Sequence, residues 1–247
     1  MTLNLPIFEQ YKDLVHGFST AREGNMSFKY GPAEEVEKNR KNFLDSLGVP
    51  SERCVMMSAV HGAEILPVTA KNRMGGLTDE ARPEVDALTT NERGLYLLLL
   101  VADCLPILYY DPRNAAVGLA HCGWKGTEEK LAAKVVGDMV GRYGSRADEL
   151  LVGVGPGIHR ESYAFVDPAQ KRLPGWEEFL TDLPDGRTAI DIVGYNVHQL
   201  VAAGIAEKHI EVSGVDTATS AEMFSHYRSA RTGEPEGRFC AVIGTKK

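Results

Sequence analysis

From residue 54 to residue 121 the chain passes through one β-like run after another: "CVMMSAV", "EILPVTA", "LYLLLLVA", "LPILYY" and "AAVGLA". These runs are rich in Val, Leu, Ile and Tyr, and Gly, Pro, Asp or Asn bound most of them, the pattern of short strands with at least one face covered. Strands that follow each other directly can pair antiparallel, whereas a parallel pair needs a long crossover, usually a helix. A mixed or largely antiparallel sheet is therefore expected, and a doubly wound one is not.

Three further runs, "DLVHGF", "LLVGVG" and "FCAVIG", extend the β-content towards both ends. Helical spacing marks the segments between. "AEEVEKNRKNFLDSLG" sets Val36, Asn39, Phe43 and Leu47 on one face and stops at Gly48, a good C-cap. "TEEKLAAKVVGDMVGRYG" opens on Thr127 as N-cap, has acids in its first turn and stops at Gly144. "DIVGYNVHQLVAAGIA" opens on Asp191 as N-cap. The stretch "DPAQKRLPGWEEFLTDLPDGRTA" has three prolines and several charges, and reads as a connecting excursion with a short helix at best. With 43% hydrophobic residues the chain can bury a sizeable core, and residues 1–247 are expected to form one α/β domain.

The formal net charge of -7 argues against broad attraction to nucleic acid or an anionic membrane. The opening residues lack the basic, apolar and small-residue regions of a secretory signal. The longest apolar run, residues 95–102, falls far short of the ~20 residues that span a bilayer. The expected location is the cytoplasm, where Cys54, Cys104, Cys122 and Cys240, scattered without CxxC spacing, are free thiols, catalytic groups or isolated ligands.

Three of the strand-like runs end in a group that can bind metal or do chemistry: His61, Cys104 and His121. If those strands are neighbours running the same way, the three side chains meet at one sheet edge. Two imidazoles and a thiolate leave a fourth tetrahedral position open, as catalytic zinc sites do. Each also has a plainer reading. Cys104 after an apolar strand suits a small buried side chain, His61 suits a turn in solvent, and His121 suits a ring stacked beside Trp124. His121 and Cys122 are adjacent on one strand, so they point to opposite faces and do not serve one site jointly.

Beyond these residues, "VHG" at 60–62, "ADCLPILYYD" at 102–111 and "AHCGWKGT" at 120–127 resemble the motifs of the YfiH-type laccase-domain family, also called multicopper polyphenol oxidases. "HGFSTAREGNMS", "VEKNR", "VDALTT", "GVGPGIHRESYAF" and "MFSHYRSARTGEPEGRF" continue the likeness in order along nearly the whole chain. The resemblance implies an α/β/β/α layered fold with mixed sheets. It implies one zinc, with copper as the other candidate, on His61, Cys104 and His121. It implies phosphorolysis of adenosine, inosine, guanosine and methylthioadenosine to free base and ribose 1-phosphate, with deamination of adenosine as a side activity. The substrates are then a purine nucleoside and phosphate.

On that reading Arg22, Lys125 and Arg228 are the candidates to hold phosphate, and Asp103 is either the acid/base or a structural carboxylate. Other members are linked to proofreading of cell-wall precursors, so a cysteine hydrolase using Cys104 and His121 is the alternative. Copper-dependent phenol oxidation is a third reading. Its several coppers are hard to seat, because the chain has seven histidines and no HxH pair. This sequence departs from the family at Ala59 (usually Gln), Lys125 (usually Arg), Asp216 (usually Cys) and Cys122 (usually Ala).

Overall fold

The computed structural model describes residues 2–73 and 76–247. One sheet holds four strands in the order β1 (Leu14–Phe18), β13 (Phe239–Thr245), β5 (Tyr96–Val101) and β2 (Cys54–Met56). There β13 runs antiparallel to both its neighbours, and β2 runs parallel to β5. A second sheet holds six, in the order β12 (Ile210–Val212), β8 (Leu151–Val154), β6 (Leu105–Asp111), β7 (Ala116–Cys122), β4 (Ala87–Thr90) and β3 (Ile65–Pro67). Its central pairs are antiparallel and its two outermost pairs parallel. The mixed pairing expected from the helix-poor stretch is present.

Alternation of side chains along each strand divides the core into layers. Leu97, Leu99, Ala241 and Ile243 face Leu108, Val117 and Leu119 across the gap between the sheets. Leu98 and Val242, on the other face, meet Phe43 and Leu44 of α2 (Ala33–Ser46). On the far side of the six-stranded sheet, Ile107, Tyr109 and Ala120 pack under α4 (Leu131–Tyr143) and α5 (Ile192–Ala202). The order is helix, sheet, sheet, helix, and it explains why "LYLLLLVA" is apolar at nearly every position: both of its faces are covered. Burying each such leucine contributes roughly 1.5–3 kcal/mol.

Several local expectations need correction. In α2 the buried polar position is Arg40, not Asn39: Arg40 reaches the carbonyls of Met26, Leu77 and Thr78. Gly48 ends that segment at φ 67, as a left-handed terminator should. Thr127 is not an N-cap. It lies inside the short α3 (Trp124–Glu128), and α4 begins only after Lys130 at φ 60. The reason is tertiary: the Thr127 hydroxyl accepts from Asn196 and its carbonyl from Gln199, both on α5. Asp191 does cap α5, accepting from the Gly194 N–H, and Gly144 closes α4 at φ 68.

The proline-rich excursion is the largest correction. It holds β10 (Leu180–Asp182) and β11 (Thr188–Ile190), which join β9 (Ala164–Phe165) in a small antiparallel sheet. That sheet has its own apolar cluster of Trp176, Ile190 and Tyr195. Two further short α-helices are α1 (Pro6–Glu9) and α6 (His226–Thr232). Among the described residues no helix is long and apolar enough to cross a membrane.

Candidate metal centre

The register of β6 and β7 builds the site. The two strands are antiparallel with Pro106 opposite His121 and Leu105 opposite Cys122. The last residues of β7 therefore lie beside the first residues of β6, and Cys104, one position before β6, comes alongside His121. The chain arrives there from β5 of the other sheet through a turn in which Asp103 takes φ 77. His61 comes from the loop after β2, at φ 61. The ligand atoms of His61, Cys104 and His121 all lie within 4.8 Å of one another, and the two imidazoles meet edge to face at 5.0 Å. The three thus converge, but not from neighbouring strands running the same way. One sits on a strand, one in a turn between sheets and one in a loop.

Asp86, just before β4, ties two of them together. It is fully buried. Its Oδ1 accepts from His121 Nδ1 at 2.9 Å and from the His61 N–H at 2.9 Å, and its Oδ2 accepts from the Gly62 N–H at 2.7 Å. The carboxylate holds a proton on Nδ1 and so reserves Nε2 of His121 as the nitrogen that would face a metal, the arrangement metal-binding histidines usually adopt. Burial alone raises a carboxyl group, but here the His121 and backbone donors win and hold Asp86 below its ordinary range. Burial likewise pushes the Cys104 thiol up, and His121 and His61 reverse it, so the thiol is held well below its ordinary range while His121 is raised. Cys122, facing the helices, is fully buried among Leu105, Ile107 and Leu131, and burial drives its thiol far up. Gly123 leaves room for the cluster, because a Cβ there would stand 2.9 Å from Cys104 Sγ.

A cavity of about 610 Å³ opens over this cluster. Tyr163, Phe165 and Tyr227 line one part of it and contact each other edge to face, with centroids 4.9–6.4 Å apart. Lys29, Arg82, Arg231 and Arg238 supply positive charge to its wall.

Of the other candidates from the sequence, Asp103 alone lines this cavity. Its Oδ1 accepts from the Thr217 hydroxyl at 2.6 Å and its Oδ2 from the Tyr227 N–H at 2.7 Å. Arg22 is exposed and pairs with Glu222. Lys125 is exposed, with its amine 5.8 Å from the Trp124 ring centre. Arg228 donates to the carbonyls of Thr217, Ser220 and Met223 and pairs with Glu234, stapling the loop before α6. Sequence reasoning missed Asp86 and Arg82. The motif "VDALTT" contained Asp86, but its partners lie 25 and 35 residues away, and nothing local marks the contact.

Comparison with known proteins places these observations. Residues 15–246 match the family model described as multi-copper polyphenol oxidoreductase laccase. A relative from Geobacillus stearothermophilus, "Purine nucleoside phosphorylase YlmD", is 36% identical over 86% of this chain and 80% of its own length. A "Purine nucleoside phosphorylase" from Deinococcus radiodurans is 32% identical over 93% of this chain and 88% of its own. The crystal structure of YlmD from Geobacillus stearothermophilus superposes with a TM-score of 0.89, covering 98% of this chain and 94% of that one at 33% identity.

Proposed function

This chain belongs to the multi-copper polyphenol oxidoreductase laccase family, and from its cavity we propose that it is a purine nucleoside phosphorylase acting on adenosine, inosine, guanosine and methylthioadenosine. In the reaction a phosphate oxygen bonds to C1′ of the ribose. The C1′–N9 bond breaks, its electron pair goes to the purine, and the purine takes up a proton. The products are free base and ribose 1-phosphate.

The carrying observation is the convergence of His61, Cys104 and His121 in a cavity with an aromatic wall. Two imidazoles and a thiolate, one imidazole backed by a carboxylate, suit zinc, and a soft thiolate would also accept copper. A bound zinc ion supplies Lewis acidity to a substrate oxygen. Tyr163, Phe165 and Tyr227 provide faces and edges for a purine ring. Asp103, with both oxygens committed to Thr217 and Tyr227, is better placed to hold that wall against the cluster than to trade protons. The same site, taking up water and releasing ammonia, is proposed to convert adenosine to inosine as a side activity. We also propose that the enzyme works in the cytoplasm, a reading that its four free cysteines support.

The test is metal-analysed protein incubated with inosine. Hypoxanthine and ribose 1-phosphate should form only when phosphate is added, and Cys104→Ala should remove the activity. Equal release of hypoxanthine without phosphate, or by the variant, would overturn this reading. The position of Cys104 Sγ beside two imidazoles favours a second reading, a cysteine hydrolase of amide or cell-wall-precursor substrates with His121 as base. Stoichiometric alkylation of Cys104 in protein as isolated would support that one, since a bound metal shields the thiolate. Phenol oxidation by several coppers is disfavoured by ligand supply: among the described residues, His61, Cys104 and His121 form the one cluster able to hold a metal.

A further inference from the structure

Three guanidinium groups line the cavity, and they differ in how well the protein satisfies them. Arg238 donates to Glu236, the Gly237 carbonyl and the Tyr30 hydroxyl. Arg231 lies 3.3 Å over the Tyr227 ring and donates to the Tyr227 carbonyl. Arg82 is the least exposed of the lining cations, at 18%, and is poorly provided for. One Nη pairs with Asp79 at 2.9 Å and the other reaches only the thioether of Met56 at 3.6 Å. Its Nε is buried with no acceptor.

The charge around Arg82 is also unbalanced. Asp79 is shared with Arg40, whose Nη2 stands 2.8 Å away, though poorly aligned for a hydrogen bond. Two guanidiniums thus share one carboxylate, which leaves this group with about one positive charge in excess. A thioether is a weak acceptor for a guanidinium, so Arg82 has a donor to spare for a ligand in the cavity.

The backbone holds Arg82 in this position. Arg40 binds the carbonyls of Leu77 and Thr78. Ala81 takes φ 56, a conformation that a non-glycine residue adopts at some cost. The Pro83 carbonyl accepts from the Ser58 N–H. Four residues beyond Arg82, Asp86 grips His61 and His121. One segment therefore fixes both the metal cluster and this cation.

We propose that Arg82 is the anchor of an oxyanion subsite in the cavity, and that its occupant is inorganic phosphate. Naming phosphate rests on the phosphorylase reading; the existence of an anion subsite at Arg82 does not. The Nη that meets only the Met56 thioether can donate to an oxygen of the anion while the other keeps its pairing with Asp79, a double engagement that a lysine cannot reproduce. Arg22, Lys125 and Arg228 lie outside the cavity lining and are not needed for this role.

The experiment titrates phosphate into metal-loaded wild-type protein and R82Q by calorimetry, alongside inosine phosphorolysis. R82Q should weaken phosphate binding and raise the phosphate KM by roughly 10–100-fold. Metal content and the inosine KM should hold. R82K should fall between, because it keeps the charge and loses the fork. Wild-type phosphate affinity in folded, metal-loaded R82Q would overturn the proposal, and if R82Q does not fold, wild-type affinity in R82K would do the same. Arg82-dependent phosphate binding without phosphorolysis would leave the subsite standing and sink the phosphorylase reading. Phosphorolysis with a phosphate KM indifferent to both substitutions would do the reverse.

Discussion

Two buried histidines of this protein meet opposite fates. His16 lies on β1, at the edge of the four-stranded sheet, and His121 lies at the end of β7 in the six-stranded one. They are 8% and 4% exposed, so burial discourages the charged form of both. His16 touches Phe8 edge to face at 5.0 Å, and its Nε2 accepts the Leu5 N–H at 3.0 Å, a role open only to the neutral ring. Burial takes it down to about 4. At His121 burial pulls the same way, but the Cys104 and Asp86 anions outweigh it and raise the ring. Burial alone therefore does not make a functional histidine. The partners it is buried with decide whether it is packing or chemistry.

The largest expected effect separates the two by function. His121→Ala should lose bound metal and lower phosphorolysis by more than the roughly 10–100-fold that changes around a metal's ligands cost. His16→Gln should keep both metal and activity. Metal analysis and initial rates on the two variants check this, and equal losses would erase the distinction.

The second prediction concerns acid stability. Between the ordinary histidine value of 6.5 and about 4, the unfolded chain binds a proton at His16 that the folded protein refuses. Stability therefore falls as pH drops through that window, by on the order of 3 kcal/mol. His16→Gln should flatten this part of a urea-midpoint series against pH. A variant curve parallel to wild type would refute the assignment.

The third and smallest effect refines the His121 side. Asp86→Asn keeps one acceptor oxygen where the carboxylate had two, so either His121 Nδ1 or the His61–Gly62 loop loses its partner. Metal affinity should drop roughly 10–100-fold, read by competition with a chromogenic chelator. Unchanged affinity would make Asp86 a packing residue.

The contrast also marks how far the sequence alone could be read. His121 ends a strand-like run, whereas His16 lies within one, "DLVHGF"; that position singled out His121, and the family resemblance then gave it a ligand's role. The mixed sheet was legible from strands that follow one another directly. The helix–sheet–sheet–helix layering was implied only by the family resemblance, since a run covered on both faces, such as "LYLLLLVA", carries no alternation to read. The three converging side chains were legible because each sits in a recognisable motif. Asp86 was not, because its partners His61 and His121 lie 25 and 35 residues away. Arg82 was not, because its ion pair with Asp79 three residues earlier looks like any surface pair in the sequence. Arg22, Lys125 and Arg228 stand in motifs too, but the fold directs them to an exposed ion pair, an exposed helix position and a carbonyl staple. The small sheet of residues 164–190 escaped notice because its strands span only two or three residues, too few for a periodic signal.

The position of β13 bears on how the protein is made. Residues 239–245 lie between β1 and β5, and Asp103 is held by groups 114 and 124 residues further along the chain. A growing chain that has already displayed His61, Cys104 and His121 still lacks the strand that joins β1 to β5 and the contacts that fix the Cys104 turn. Such long-range closure is slow and leaves strand edges open meanwhile. The Thr217 and Tyr227 contacts that hold Asp103, beside Cys104, are therefore available only once most of the chain has been made.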